Sequence, residues 1–315
     1  MDDAGKLARS GQKQIEGALA AVNRVILGKD REIRLALACL LARGHLLIED
    51  IPGVGKTTLA HALARVLGLS YQRIQFTSDL LPADIVGISI YDRDTQRFNF
   101  HKGPVFAQLV LADEVNRATP KAQSALLEAM EEHQVTADGT TYPLPKPFFV
   151  IATQNPTYQI GTFPLPESQL DRFLMRIELG YPAASLEREL LLGRDRREML
   201  PSLEAALPVG QLLALQDAVT WIRTSDALLD YVQQIVAFTR GATRFAAGLS
   251  PRAAIAVVRA AQSWALLHGR PGVLPEDVQA VLPSVVGHRL RPRDEAQSVT
   301  PAAIGSWLID SVPIP

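Results

Sequence analysis

Residues 45–58 read HLLIEDIPGVGKTT. Residues 45–48 are apolar and strand-like. Pro52-Gly53-Val54-Gly55 is a glycine-bearing loop, and Lys56-Thr57 opens a run over 58–67 with helical periodicity. Strand, loop and helix in that order are the setting of a phosphate-binding loop. The loop's backbone N–H groups wrap the phosphates, and the helix N-terminus adds its positive dipole end. Lys56 is expected to reach the β- and γ-phosphates and the Thr57 hydroxyl to hold Mg2+, with Pro52, Gly53, Val54, Gly55 and Thr58 completing the cradle. The usual pattern is G-x-x-x-x-G-K-[ST], and Asp50 stands where its first glycine falls. Aspartate adopts turn conformations, so the loop survives the exchange. A plain strand–turn–helix connection is the other reading, and the downstream sequence weighs against it.

The second signal is residues 109–114, LVLADE. This is a buried strand run ending in two carboxylates. A strand beside the loop strand points its C-terminal end at the nucleotide. Asp113 is then placed to hold Mg2+, and Glu114 to accept a proton from the water that attacks the γ-phosphate. On its own the Asp-Glu pair is a weak signal, and a solvated strand end is the more common explanation; its position after the loop and an intervening strand favours the functional reading. Residues 148–153 form a further buried strand, followed by Gln154-Asn155-Pro156. Asn155 either bonds the γ-phosphate or attacking water, or is a turn residue before proline.

With 315 residues the chain is long enough for more than one domain, and 47% hydrophobic with 21% charged residues marks it as globular. A net charge of -1 removes the case for a generally basic nucleic-acid binder, and no nucleic-acid partner is expected. The single cysteine, Cys39, excludes an internal disulfide and a cysteine zinc cluster. It sits in an apolar helical run and reads as a core thiol. Residues 1–11 are polar with both signs of charge, unlike a signal peptide. No apolar run reaches membrane-spanning length. A cytoplasmic protein is expected.

Helical patterns are read at 11–23 and 30–42, the latter capped by Asp30. Val25 and Ile26 between them are candidates to pack on a nucleotide base, and ordinary core packing is the equal alternative. A second strand is read at 71–76, a loop at 77–87, and a hairpin at 88–100. A short helical piece at 103–108 follows, then a helix at 120–133 and a hairpin at 134–144 turning on Asp138-Gly139. A short helix at 167–173 and a strand at 174–179 close this half. From 183 onward only helices are read, at 184–199, 209–222, 226–240, 251–267 and 275–286. The domains are therefore drawn at 1–181 and 182–315. Ser250 suits an N-cap and Pro251 a first helical turn, which leaves Arg252 free to project across the domain gap.

The segments EDIPGVGKTT, LVLADEVNRA, ATQNP, LPESQLDRF and LSPRAA, in this order, resemble the MoxR-type AAA+ ATPases and, by extension, the magnesium-chelatase AAA+ subunit group. The likeness runs over essentially the whole chain. It implies an α/β P-loop NTPase core, a parallel sheet flanked by helices, with a C-terminal all-helical lid. It also implies ATP and Mg2+ as ligands, with Lys56 and Thr57 as Walker A and Asp113 and Glu114 as Walker B. Asn155 becomes sensor 1, Arg172 an arginine finger acting on the neighbouring subunit, and Arg252 sensor 2 acting on its own. The two hairpins match family inserts facing a pore or upper surface. A finger given to the next subunit is a heterologous contact, which closes into a ring if the rotation permits, and the family points to homo-hexamers. Arg117 is a second interface candidate, or a surface salt bridge. The implied function is ATP hydrolysis coupled to chaperone-like remodelling or maturation of a partner carrying a von Willebrand factor A domain. A slow ATP-gated scaffold is the alternative.

Overall fold

The computed structural model describes residues 3–94, 96–155, 161–192, 195–293 and 299–314. Pro156, Thr95 and residues 193–194 of the expected 184–199 helix lie outside them. The first half carries α1 (Asp3–Asn23), α2 (Asp30–Leu41), β1 (Leu46–Glu49), α3 (Lys56–Val66), β2 (Tyr71–Gln75) and α4 (Pro82–Val86). Next come β3 (Gly87–Asp92), β4 (Arg97–Lys102), β5 (Leu109–Asp113), α5 (Pro120–Glu132), β6 (Gln134–Ala137) and β7 (Thr140–Pro143). It ends with β8 (Phe149–Gln154), α6 (Glu167–Leu170) and β9 (Met175–Ile177). The second half is helical: α7 (Ala184–Leu192), α8 (Val209–Val219), α9 (Asp226–Gly241), α10 (Pro251–Leu267), α11 (Pro275–Val286) and α12 (Pro301–Ser311).

Five strands form one sheet in the order β2-β5-β8-β1-β9, each pair parallel. Parallel strands need both faces covered, so their sequences read as continuous apolar runs. All residues of β5 and β8 are buried. Alternate residues face opposite ways: Leu46, Ile48, Leu109, Leu111, Phe149 and Ile151 join the core under α1, α2 and α3. Leu47, Val110, Ala112, Val150 and Ala152 join a second core with α5. The register places Glu49 opposite Gln154 and Gln75 opposite Asp113. The segments leaving β1, β5 and β8 therefore emerge together at one sheet edge.

The helical half is not separated by a gap. Leu212, Leu215, Trp264 and Leu282 belong to the same core as Ile33 and Leu37. Gln216 Nε2 donates to the Leu40 carbonyl at 2.7 Å, and Gln12 Nε2 to that of Leu267 at 3.1 Å. The N-terminal helices thus glue the second half to the sheet. Several boundaries differ from the sequence expectation. Lys29, not Asp30, is the N-cap of α2. α4 lies within the expected 77–87 loop, started by Pro82 in its first turn. α12 was not foreseen, although Thr300 caps it by accepting from the Ala303 N–H at 3.2 Å. The helix expected over 184–199 gives way to a 3-10 segment, Arg196–Ser202, capped by Asp195 and containing Pro201.

His45, 5% exposed, bridges β8 and α5. Its Nδ1 accepts from the Val150 N–H at 3.0 Å, and its Nε2 faces the Met130 carbonyl at 3.3 Å. Only the neutral ring meets both partners, since protonation turns Nδ1 into a donor aimed at another donor. Burial lowers the His45 pKa to about 4, and burial also holds buried His288 well below its ordinary range. The unfolded chain therefore binds protons that the folded chain refuses as pH falls below about 6.5. The stabilisation is complete above that pH and is lost on the way down towards pH 4. By pH 5 the His45 contribution should have fallen by about 2 kcal/mol. Denaturant titrations from pH 7 to 5 should show this slope, and it should be shallower in His45→Asn.

Candidate nucleotide site

The sheet edge carries a loop built for an anion. Gly53 and Gly55 have φ of +87° and +95°, a region where side chains are strained, and Gly55 is the N-cap of α3. That helix start has no side-chain cap, so its first N–H groups are available to phosphate oxygens. Lys56 is 8% exposed. Its Nζ donates to the carbonyls of Asp50 at 2.5 Å and Ile51 at 3.0 Å, and to Asn155 Oδ1 at 3.2 Å. Burial lowers its pKa, while Asp50, Asp113 and Glu114 oppose that shift.

The carboxylates of β5 sit opposite. Asp113 Oδ1 accepts from Thr153 Oγ1 at 2.6 Å, and Thr153 Oγ1 accepts from the Glu114 N–H at 2.9 Å. Asp113 Oδ2 receives Arg73 Nε at 3.0 Å and Nη2 at 2.6 Å. Glu114 has φ +57°, a strained backbone for a non-glycine residue. That turn aims its side chain along the sheet edge, where Asn155 Nδ2 donates to Oε1 at 3.3 Å. Its Oε2 meets Arg117 Nε at 3.0 Å and Gln75 Nε2 at 3.2 Å. Asn155, 4% exposed, thus bridges Lys56 and Glu114. Arg117 is engaged within its own chain by the candidate base.

Two cavities meet over the loop. One, of about 160 Å³, is lined by Pro52, Gly53, Lys56, Thr57, Asp113, Glu114 and Asn155. The other, of about 380 Å³, is lined by Val25, Ile26, Leu27, Val54, Gly180 and Pro182. Thr58 and Gly55 line both. Val25 and Ile26 therefore belong to the core and face the second cavity as well. A nucleotide fits this division, with its base on apolar walls and its phosphates on the glycine loop. One carboxylate, Asp113, and one hydroxyl, Thr57, suit Mg2+, which takes few protein ligands and fills its shell from phosphate and water. No group of three or more His, Cys, Asp or Glu side chains placed to hold a metal ion is found among the described residues. A larger groove of about 460 Å³ runs beside α9 and α10 but is lined mainly by apolar side chains.

Arg172 and Arg252 do not line either cavity. Arg172 Nη1 donates to the Leu127 carbonyl at 2.5 Å, and its Nε lies 4.0 Å from Glu131. Arg252 pairs with the same Glu131. Ser250 caps α10 as expected, accepting from the Ala253 N–H at 3.1 Å. Because α10 packs against the first half, that cap fixes Arg252 beside Arg172 rather than over Lys56. The resemblance expects Arg252 to reach its own subunit's phosphates; in this structure it pairs with Glu131 and lines neither cavity.

Asp50 explains why a glycine is absent. Its Oδ2 accepts from the N–H groups of Leu179 and Gly180, each at 2.6 Å, and its Oδ1 from the Ile51 N–H at 2.8 Å. The carboxylate thus ties the phosphate loop to the exit of β9. The sequence reading also missed Arg73, Gln75 and Thr153. Arg73 lies opposite Leu111 in the register, a place visible only once β2 is paired with β5. Cys39 is buried, as expected, and burial pushes its thiol far up.

β5 does not lie directly beside β1 as expected: β8 runs between them, and the parallel register still brings all three strand ends to the same edge. A parallel sheet with this strand order, a phosphate loop after its first strand and acidic residues at the end of β5 define a P-loop ATPase of the AAA+ class. Residues 45–175 match the family described as "ATPase family associated with various cellular activities (AAA)", and residues 237–305 match the AAA lid domain. The chaperone MoxR1 of Mycobacterium tuberculosis is 41% identical, over 96% of this chain and 82% of that protein. The MoxR protein of Paracoccus denitrificans is 36% identical, over 95% of both. A crystal structure from Cytophaga hutchinsonii, assigned as an ATPase, superposes with a TM-score of 0.89 at 36% identity, covering 99% of this chain and 98% of that one. The chain belongs to the MoxR-type AAA+ ATPases. No helix among the described residues is long and apolar enough to cross a membrane.

Removing the Asp50 carboxylate leaves three backbone N–H groups without their charged acceptor. Asp50→Ala should lower unfolding free energy by about 2–4 kcal/mol in a denaturant titration. Asp50→Asn, which keeps an acceptor oxygen, should lose less.

Proposed function

We propose that this protein hydrolyses ATP in a homo-hexameric ring and uses the cycle to remodel or mature a partner protein. The observation that carries the reading is the Lys56–Asn155–Glu114 chain of hydrogen bonds at the mouth of the phosphate loop. Lys56 and the start of α3 hold the β- and γ-phosphates. Thr57 and Asp113 would hold Mg2+, which supplies charge neutralisation on the phosphate oxygens. Glu114 takes the proton of a water that bonds to the γ-phosphorus as the bond to the bridging oxygen breaks and ADP departs. Asn155 orients that water through its tie to Glu114. The Asp113–Arg73 and Glu114–Arg117 pairs have to open for these roles.

Arg172 supports a trans-acting role. It lies outside its own subunit's cavities, and a triphosphate needs more positive charge than Lys56 and a metal provide. Arg252 shares Glu131 with it, and we read both arginines as serving the neighbour's nucleotide. The hairpins support a protein client. Phe100 of β4 stacks on Tyr142 of β7 at 4.3 Å, so the two hairpins brace each other. Ile88, Ile90, Tyr91 and Phe98 on the first are half or more exposed. Ile88 and Ile90 share one face of the hairpin and the paired Tyr91 and Phe98 the other, so both faces offer apolar side chains to a protein partner. The kinship with proteins named chaperone and MoxR supports a chaperone-like task, with a von Willebrand factor A domain protein as partner and the cytoplasm as location.

Glu114→Gln should bind Mg-ATP and scarcely turn over. Arg172→Ala should lose on the order of 10³-fold in turnover. An equal mixture of the two, with free subunit exchange, should regain about a quarter of wild-type activity, because a random ring pairs an intact glutamate with an intact arginine at that frequency. A mixture as inactive as its parts, with exchange verified by labelled subunits, would show that Arg172 acts only within its own chain.

Arg252→Ala mixed with Glu114→Gln distinguishes the two placements of Arg252. Recovery follows if it serves the neighbour, whereas none is expected if it shares a site with its own Glu114.

A further inference from the structure

Placing Arg252 beside Arg172 leaves the nucleotide cavities short of a cation delivered by the helical half. The 3-10 segment Arg196–Ser202 supplies one. This segment is bolted to the walls of the site. Arg65 of α3 donates from Nε to the Leu200 carbonyl at 3.4 Å and from Nη2 to that of Pro201 at 3.3 Å. Arg196 Nη1 donates to the Arg24 carbonyl at 2.7 Å, one residue before Val25. Asp195 caps the turn by accepting from the Arg197 N–H at 2.9 Å, and Leu200 is buried.

Held in this way, neighbouring arginines differ in use. Arg196 is taken up by the Arg24 carbonyl and Glu189. Arg197 is exposed, no ion pair or side-chain hydrogen bond occupies its guanidinium among the described residues, and it lines both cavities. The residues lining both are Gly53, Gly55, Thr58 and Arg197. Three of these belong to the phosphate loop and the first turn of α3, so the fourth faces the path of the phosphate chain. The smaller cavity holds one other cation, Lys56, against the carboxylates of Asp113 and Glu114.

We infer that Arg197 is a nucleotide-binding residue of the same subunit, a guanidinium that the helical half lays across the phosphate chain of a bound nucleoside di- or triphosphate. The fork geometry suits two phosphate oxygens at once. Because Arg197 belongs to a turn anchored on α3 and near Val25, its contact reports occupancy of the site to the start of the helical half without needing Arg252. The inference rests on the assignment of the phosphate loop, and the test separates the two.

Calorimetry with Mg-ADP, with a non-hydrolysable Mg-ATP analogue and with adenosine, on the full chain, decides it. Arg197→Ala should weaken both phosphorylated ligands about tenfold or more, the effect of losing one charge-assisted contact, and leave adenosine unchanged. Arg197→Lys should recover part of the loss, since it keeps the charge without the fork. Amide exchange over residues 195–203 should slow on adding Mg-ADP in the wild type and not in Arg197→Ala. Equal weakening for adenosine overturns the inference, because the residue is then only a wall of the base cavity. Unchanged nucleotide affinity in Arg197→Ala, beside loss in Lys56→Ala, overturns it while the phosphate loop stands. If Lys56→Ala also binds normally, the loop assignment itself fails.

Discussion

A single buried guanidinium, that of Arg289, holds the two halves of this molecule in register. Its side chain is 5% exposed. Nε donates to Asp171 Oδ1 at 2.6 Å, Nη2 to the carbonyls of Phe173 at 2.8 Å and Asp171 at 3.2 Å, and Nη1 to that of Leu174 at 3.2 Å and to that of Val285. Burial lowers the Arg289 pKa and the Asp171 carboxylate counters it. A buried charge of this kind is tolerated because nearly every donor is met, and leaving it without Asp171 would cost several kcal/mol. The segment it grips, 171–174, carries Arg172 and leads into β9. This ion pair thus adds a fixed point between the finger candidate, the last strand of the sheet and α11, on top of the shared core and the pairing of β9 with β1.

Rigidity there shapes the chemistry elsewhere. With α10 and α11 fixed on the first half, Arg252 is anchored by its cap at Ser250 and lies with Arg172 on Glu131. On the proposed reading, cations would reach a nucleotide from two directions: Lys56 and the 195–202 turn from one subunit, and the Arg172–Arg252 pair presented outward. The carboxylates are kept paired in the meantime, Asp113 by Arg73 and Glu114 by Arg117. In both pairs the arginine is about half exposed, 47% for Arg73 and 48% for Arg117, so either guanidinium can turn to water when its carboxylate takes another partner.

Much of the site was legible in the chain. The glycine loop is required by φ at Gly53 and Gly55, and that requirement is written into residue type. The continuous apolar runs of β5 and β8 follow from burial on both faces of a parallel sheet. The carboxylates after β5 and Asn155 after β8 were readable because parallel strands bring their C-terminal ends to one edge. Arg73 and Arg197 carried no local signal. The first depends on strand register and the second on how a short turn docks against α3.

Asp50 marks the division most clearly. Local sequence shows only that a glycine is missing from the loop and that aspartate can turn there. Its reason lies 129 residues on, in the N–H groups of Leu179 and Gly180. Sequence alone determined the elements, the phosphate loop and the order of the acidic and polar residues along the edge, because these follow from backbone preference and from the period of burial. Only the tertiary structure decided that the helical half shares the core of α1 and α2, that Arg252 sits beside Arg172, that Asp50 ties the phosphate loop to the exit of β9 and that Arg197 lines both cavities. Those outcomes depend on long-range packing and buried hydrogen bonds, which no local pattern records.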